Sequence, residues 1–175
     1  NAFYTGNVEL VKFDIGRFLS IKDIGIVSLE IAIDGKGFTE KYLDTYLKGS
    51  VSRLTYNKYN YSDILIEGQF KSPIFKGKIN VNDPNLFMDF EGLVDLSKKV
   101  LRYDFKTNID YANLANLNFV NDSIAVFKGN VTMNISGNSL DDLEGEINIM
   151  QTAYNNDKDN YIFDDFTITS TFDTD

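Results

Sequence analysis

The sequence predicts an all-β fold, long strands in one sheet curled around an apolar interior, and three observations support it. Large apolar residues recur at every second position along most of the chain, which is the spacing that places them on one face of a strand. A five-residue phrase of bulky apolar residue, any residue, glycine, any residue and bulky apolar residue occurs seven times. Its copies lie at 4–8, 47–51, 66–70, 75–79, 90–94, 127–131 and 143–147 and use seven of the twelve glycines. Neither of the two prolines falls inside an alternating run, so nothing interrupts a hydrogen-bonded ladder.

Each phrase puts its glycine on the apolar face between two large side chains. The missing volume permits a bend, or a close approach by another backbone or a ligand. The expected shaping glycines are Gly68, Gly77, Gly92, Gly129 and Gly145. Parity alone leaves two forms open: a curled sheet with an accessible apolar interior, and curved strands closed on a core of their own side chains.

In chain order, Val27, Leu29, Ile31 and Ile33 alternate with Ser28, Glu30 and Ala32, and Asp34 to Gly37 then reads as a hairpin turn. Phe38, Tyr42, Leu43, Tyr46 and Leu47 fall at helical spacing behind Thr39 and Glu40, which predicts a short helix in competition with the second glycine phrase. Ile66 and Phe70, then Phe75 and Ile79, form the next two strands, with Pro73 opening the second of them. Asn82-Asp83-Pro84-Asn85 is a turn by composition. Phe90 and Val94 lead to the cleanest strand, where Leu101, Tyr103, Phe105, Ile109 and Tyr111 alternate with Arg102, Asp104, Lys106, Asn108 and Asp110. Tyr111, Leu114 and Leu117 predict a turn or single helical turn carrying the chain over one edge of the sheet. Phe127, Val131, Met133 and Ile135 precede a turn at Gly137-Asn138. Leu143, Ile147 and Ile149 follow, and after a polar loop at 155–160 the run Ile162, Phe166, Ile168 and Phe172 closes the sheet.

Composition removes several chemistries. With no cysteine and no histidine there are no disulfides, thiol catalysis, His/Cys zinc sites or imidazole acid–base chemistry. A net charge of -9 with scattered lysines repels a phosphate backbone, so nucleic acid is not an expected partner. No apolar run reaches the ~20 residues of a membrane-spanning helix. The paired acids Asp141-Asp142 and Asp164-Asp165 match no metal-loop spacing and read as solvated turns or strand edges. Tyr56, Tyr59 and Tyr61 could stack on sugars, yet read first as strand surface or interior. No residue presents itself as catalytic, and no cofactor is expected. The opening at Asn1, inside the pattern, reads as a piece of a longer protein, with residues 1–175 a single β-rich segment of it.

Several motifs together resemble one family. They are Leu54-Thr-Tyr56-Asn-Lys-Tyr59-Asn-Tyr61, Ile66-Glu-Gly68, Phe75-Lys-Gly77 and Asn82-Asp-Pro-Asn85, then Met88-Asp-Phe90-Glu-Gly92-Leu-Val-Asp95-Leu-Ser97. Tyr103-Asp-Phe105, Asn113-Leu114 through Asn118, Phe127-Lys-Gly129, the stretch from Gly137 to Gly145 and Tyr161-Ile-Phe163-Asp-Asp-Phe166 agree. Over roughly residues 25–170 this succession resembles the TamB (translocation and assembly module) family of AsmA-like proteins. The resemblance implies a periplasmic segment of an inner-membrane-anchored protein reaching the outer membrane, with a lengthwise-folded sheet, or β-taco, around an apolar trough. It also implies phospholipid transport toward the outer membrane, help in outer-membrane protein assembly, or both. A BamA-like barrel partner would dock through parts of the protein outside this chain.

The expected lining of such a groove is the dry face of each strand: Val27, Leu29, Ile31, Ile33, Ile66, Phe70, Phe75, Ile79, Phe90, Val94, Tyr103, Phe105, Ile109, Phe127, Val131, Met133, Ile147, Ile149, Phe166 and Ile168. Phospholipid acyl chains are its expected ligand. A closed β-sandwich or repeat module serving as a structural or adhesin domain without lipid would show the same alternation. A membrane β-barrel would gather its aromatics into two girdles, whereas here they are spread along the strands. A carbohydrate-active enzyme rests only on the acids and tyrosines.

Overall fold

The computed structural model describes residues 2–19, 22–39, 42–96, 101–137 and 142–171. Strand accounts for 75% of the chain, in one open antiparallel sheet of twelve strands. The long strands are β1 (Phe3–Asp14), β2 (Ile24–Lys36), β3 (Asp44–Tyr56), β5 (Ile64–Lys71), β6 (Ile74–Asp83), β7 (Leu86–Leu96), β8 (Leu101–Asn113), β9 (Ala125–Gly137) and β10 (Glu144–Asn156), with β4 (Tyr59–Tyr61), β11 (Asn160–Phe163) and β12 (Phe166–Ser170) short. One five-residue helix, α1 (Ile15–Leu19), follows β1, and Asp14 Oδ1 caps it by accepting from Arg17 N at 2.9 Å.

The order across the sheet is β1-β2-β3-β5-β6-β7-β8-β9-β10-β11, with β4 beside β3 and β12 beside β10. Chain neighbours pair as hairpins, so the topology is a meander that needs no crossover. Register shifts between Leu10 and Phe13 in β1, opposite Ser28 to Leu29 in β3, between Ile109 and Ala112 in β8 and between Met150 and Ala153 in β10 lie along one line across the sheet. An extra residue bends its strand, so these strands bend on a common line near one margin.

That margin holds most of the core. Buried Tyr61, Ile64, Val81, Ala112 and Leu117 pack with half-buried Leu54, Leu86, Ile109, Leu114 and Phe127. The turn after β8 folds over them, as its helical spacing suggested. Leu117 N donates to Asn113 O at 2.9 Å, and Leu117 is 1% exposed. Paired amides fix the turn from outside: Asn57 Nδ2 donates to Asn118 O at 2.6 Å and Asn118 Nδ2 to Asn57 O at 3.0 Å. Asn116 Nδ2 reaches Asn85 Oδ1 at 2.8 Å.

Two local expectations are corrected. Tyr46 and Leu47 belong to β3, not to a helix, because Tyr46 pairs with Asp34 and Gln69 and Leu47 with Ile33 and Gly68; Glu40 lies outside the described residues. The glycine phrase prevails because a strand there is paired on both sides, whereas a short helix has little to stabilise it. Likewise Asp34 to Lys36 remain in β2, and the turn begins at Gly37, whose φ of 79° suits glycine. The Asp83-Pro84-Asn85 turn is found as expected, a hairpin between β6 and β7.

Candidate functional site

The register assembles the expected lining into continuous rows across the sheet. One row contains Ile31, Ile66, Ile79, Phe90, Val131 and Ile149, with Phe166 beyond. The next holds Ile33, Gly68, Gly77, Gly92, Phe105, Met133, Ile147 and Ile168. A third holds Phe70, Phe75, Val94 and Tyr103 and reaches Gly145 through Ile135. Toward the bent margin lie Leu29, Ile109 and Gly129, then Val27 and Phe127. All twenty residues therefore share one face.

Burial on this face is uneven. Of the twenty, Val27 is buried and Phe166 and Ile168 are exposed, while the other seventeen are half-buried. A packed interior would bury such residues almost completely. At the bent margin the face is covered by the turn carrying Leu114 and Leu117. No described helix, strand or second sheet forms a layer over the remaining three rows.

The glycines act at this face in two ways. A Cβ on Gly77 would fall 2.6 Å from Gly68 Cα and onto the Glu67 carbonyl oxygen, and one on Gly68 would fall 2.5 Å from Lys76 O. Here glycine permits backbone to approach backbone. At Gly129 the nearest atoms are Thr152 Oγ1 at 3.1 Å and the Phe127 ring at 3.2 Å, so its open space is shared by side chains that can move. Between the first and second rows Phe90 and Phe105 meet with ring centroids 5.1 Å apart.

The opposite face is polar and carries an alternating charge ladder. Paired neighbours Lys48, Glu67, Lys78, Glu91 and Lys106 run across β3, β5, β6, β7 and β8. Lys48 Nζ lies 3.0 Å from Glu67 Oε2 and Lys78 Nζ 3.3 Å from Glu91 Oε1. The Tyr46 hydroxyl donates to Glu67 Oε1 at 2.5 Å. That bond, then Lys48, holds the Glu67 carboxyl below the usual range, and Glu67 in turn raises both Tyr46 and Lys48. Exposed pairs of this kind contribute little stability, but opposite charges directly across a ladder favour this register. A cleft of ≈ 1090 Å³ runs along these polar rows from β1 to β10. Of the expected lining, Ile66, Ile79, Phe90 and Val131 border it. A smaller hollow of ≈ 350 Å³ touches the apolar face near Tyr4, Ile33, Phe38 and Leu43.

Asp83 went unnoticed as a side chain in the sequence. It is 1% exposed and accepts from the Tyr59 hydroxyl at 2.6 Å and from Ser62 N, Ser62 Oγ and Asn85 N at 2.9 Å each. This carboxylate ties the β3–β4 hairpin to the β6–β7 turn, and the Asp-Pro-Asn composition was its available signal. The three tyrosines expected at a strand surface or interior sit together here, with Tyr61 buried and edge-on to Tyr59 at 4.8 Å. Asp165 Oδ1 accepts from Gln151 N at 2.8 Å, and Asp141 lies outside the described residues. Among the described residues no cluster of acids could hold a metal ion. No family model, curated protein or solved structure matches this chain.

Proposed function

We propose that this chain binds acyl chains of phospholipids along its apolar face, as one segment of a TamB-like periplasmic path toward the outer membrane. The observation that carries the reading is the half-burial of large apolar residues in three rows over which no described element forms a second layer, with Ile109 and Phe127 packed instead into the covered margin. A sheet face of this composition needs an apolar partner, and a lipid chain laid there gains about 0.8 kcal/mol per buried methylene.

Dimensions fit the reading. Strands lie about 4.8 Å apart, so a row crossing from β1 to β10 through seven intervening strands extends for roughly 38 Å. One leaflet of a bilayer's hydrocarbon core is about 15 Å thick, and a single acyl chain is correspondingly shorter than a row. Many weak contacts along such a row suit passage better than one tight pocket. The charge ladder keeps the other face in water, and the covered margin gives the face one closed side. The lengthwise-folded β-taco with its apolar trough, outer-membrane protein assembly and the BamA-like partner also belong to this proposal; they rest on the motifs quoted above and not on the ≈ 1090 Å³ cleft, which lies along the polar rows.

Native mass spectrometry of the chain purified from a didermic bacterium tests the reading. Phospholipid adducts that survive gentle ionisation are the expected result. Lipid-free protein of full stability under the same conditions would instead favour a structural module.

A further inference from the structure

The polar face carries a second row beside the charge ladder. Leu65, Asn80, Asp89, Asn108, Asn130 and Met150 are successive neighbours across β5, β6, β7, β8, β9 and β10. All six line the ≈ 1090 Å³ cleft, together with the ladder from Lys48 to Lys106. Every strand under this row is paired on both sides, so its backbone groups are already satisfied and side chains alone are left to bind.

Size, charge and preorganisation narrow the ligand. Five inter-strand steps of about 4.8 Å make the row roughly 24 Å long, and the cleft stands at the upper end of the ~300–1,000 Å³ range of small-molecule pockets. An elongated ligand of several linked units fits such a space. The described lining holds four carboxylates, of Glu30, Glu67, Asp89 and Glu91, against the ammonium groups of Lys48, Lys78 and Lys106, and Lys48–Glu67 and Lys78–Glu91 are already ion pairs. A polyanion or a polycation therefore meets as much repulsion as attraction, whereas a neutral, hydroxyl-rich ligand finds donors and acceptors on every strand from β3 to β9. The amides are already aimed. Asn80 Nδ2 donates to Asp89 Oδ1 at 2.7 Å, Asn108 Nδ2 to Asp110 Oδ1 at 2.9 Å and Asn130 Nδ2 to Gln151 Oε1 at 2.8 Å. One bond holds each carboxamide, which has a second N–H and an oxygen to offer, and fixing it beforehand lowers the ordering cost of binding. Leu65, 52% exposed, and Met150, 39% exposed, place apolar surface at the two ends of the row, where it can cover the C–H face of a sugar ring.

We propose that this cleft binds a linear, uncharged oligosaccharide laid across the strands, with Asn80, Asn108 and Asn130 bonding its hydroxyl groups and Leu65 and Met150 packing on its rings. A pyranose ring in such a chain advances by close to one strand spacing, ~4.8 Å, so successive rings meet successive strands. The site lies on the face opposite the apolar rows and does not rest on the acyl-chain reading.

Isothermal titration of the chain with cellopentaose, and with its N-acetylated counterpart chitopentaose, tests this. Saturable binding of at least one of them is expected, unchanged between low and high salt because the ligand carries no charge. Asn108→Ala and Asn130→Ala should each weaken it by roughly 3- to 10-fold, the loss of one neutral hydrogen bond, at unchanged melting temperature. In heteronuclear NMR spectra of the parent chain the same sugar should move the side-chain amide signals of Asn80, Asn108 and Asn130 and leave those of Asn57, Asn85 and Asn116, at the covered margin, in place. No binding of either sugar, tighter binding of pentalysine or pentaglutamate, loss of binding with salt, two variants that bind as the parent does, or signal changes confined to the margin would each overturn the proposal.

Discussion

At the scale of single residues, the strongest constraint is the buried carboxylate of Asp83. Four donors converge on it, and replacing it by alanine leaves them without a partner in a nearly closed site. Asp83→Ala should therefore lower unfolding stability by roughly 2–4 kcal/mol, measured by urea titration; a loss under about 0.5 kcal/mol, the usual surface range, would show that water satisfies those donors. Tyr61, beside this network, is pushed up to about 12 chiefly by burial. A folded-state value above the unfolded one means that its contribution is intact below the unfolded pKa near 10 and is lost as pH rises from there through about 12. Alkaline denaturation curves should show a smaller stability loss across that window in Tyr61→Phe than in the parent chain. Identical curves would contradict the burial assigned to this phenol.

At the scale of elements, the glycine phrase has two physical meanings that one pattern conceals. Gly77→Val should destabilise strongly or prevent folding, since its Cβ falls against the backbone of β5, whereas Gly129→Val meets Thr152 and the Phe127 ring, which can shift, and should cost roughly 1–3 kcal/mol. Equal thermal-melt shifts for the two would contradict that distinction. Strand parity was legible in the sequence because period two is a local signal, and it placed all twenty expected lining residues on one face. Local spacing misled at Tyr46 and Leu47, where pairing on both sides outweighed a helical pattern, and at Gly35, which serves close approach to Thr45 instead of a turn. The line of bulges, the charge ladder from Lys48 to Lys106 and the Asp83 network depend on which strands lie side by side. No short window of sequence contains that information.

At the scale of the whole molecule, the described residues form a sheet with one polar face, one apolar face and a cover over one margin of the latter. On the function proposed above, this apolar face is open to an acyl chain in the living cell. Photo-crosslinking at paired positions of opposite parity tests it most directly, because a one-residue step reverses the face. A photoreactive residue at Phe105, Val131 or Ile147 should capture phospholipid, and one at Lys106, Thr132 or Glu146 should not. Equal capture at both parities, or no capture at any of the six in stably folded protein, would contradict the claim.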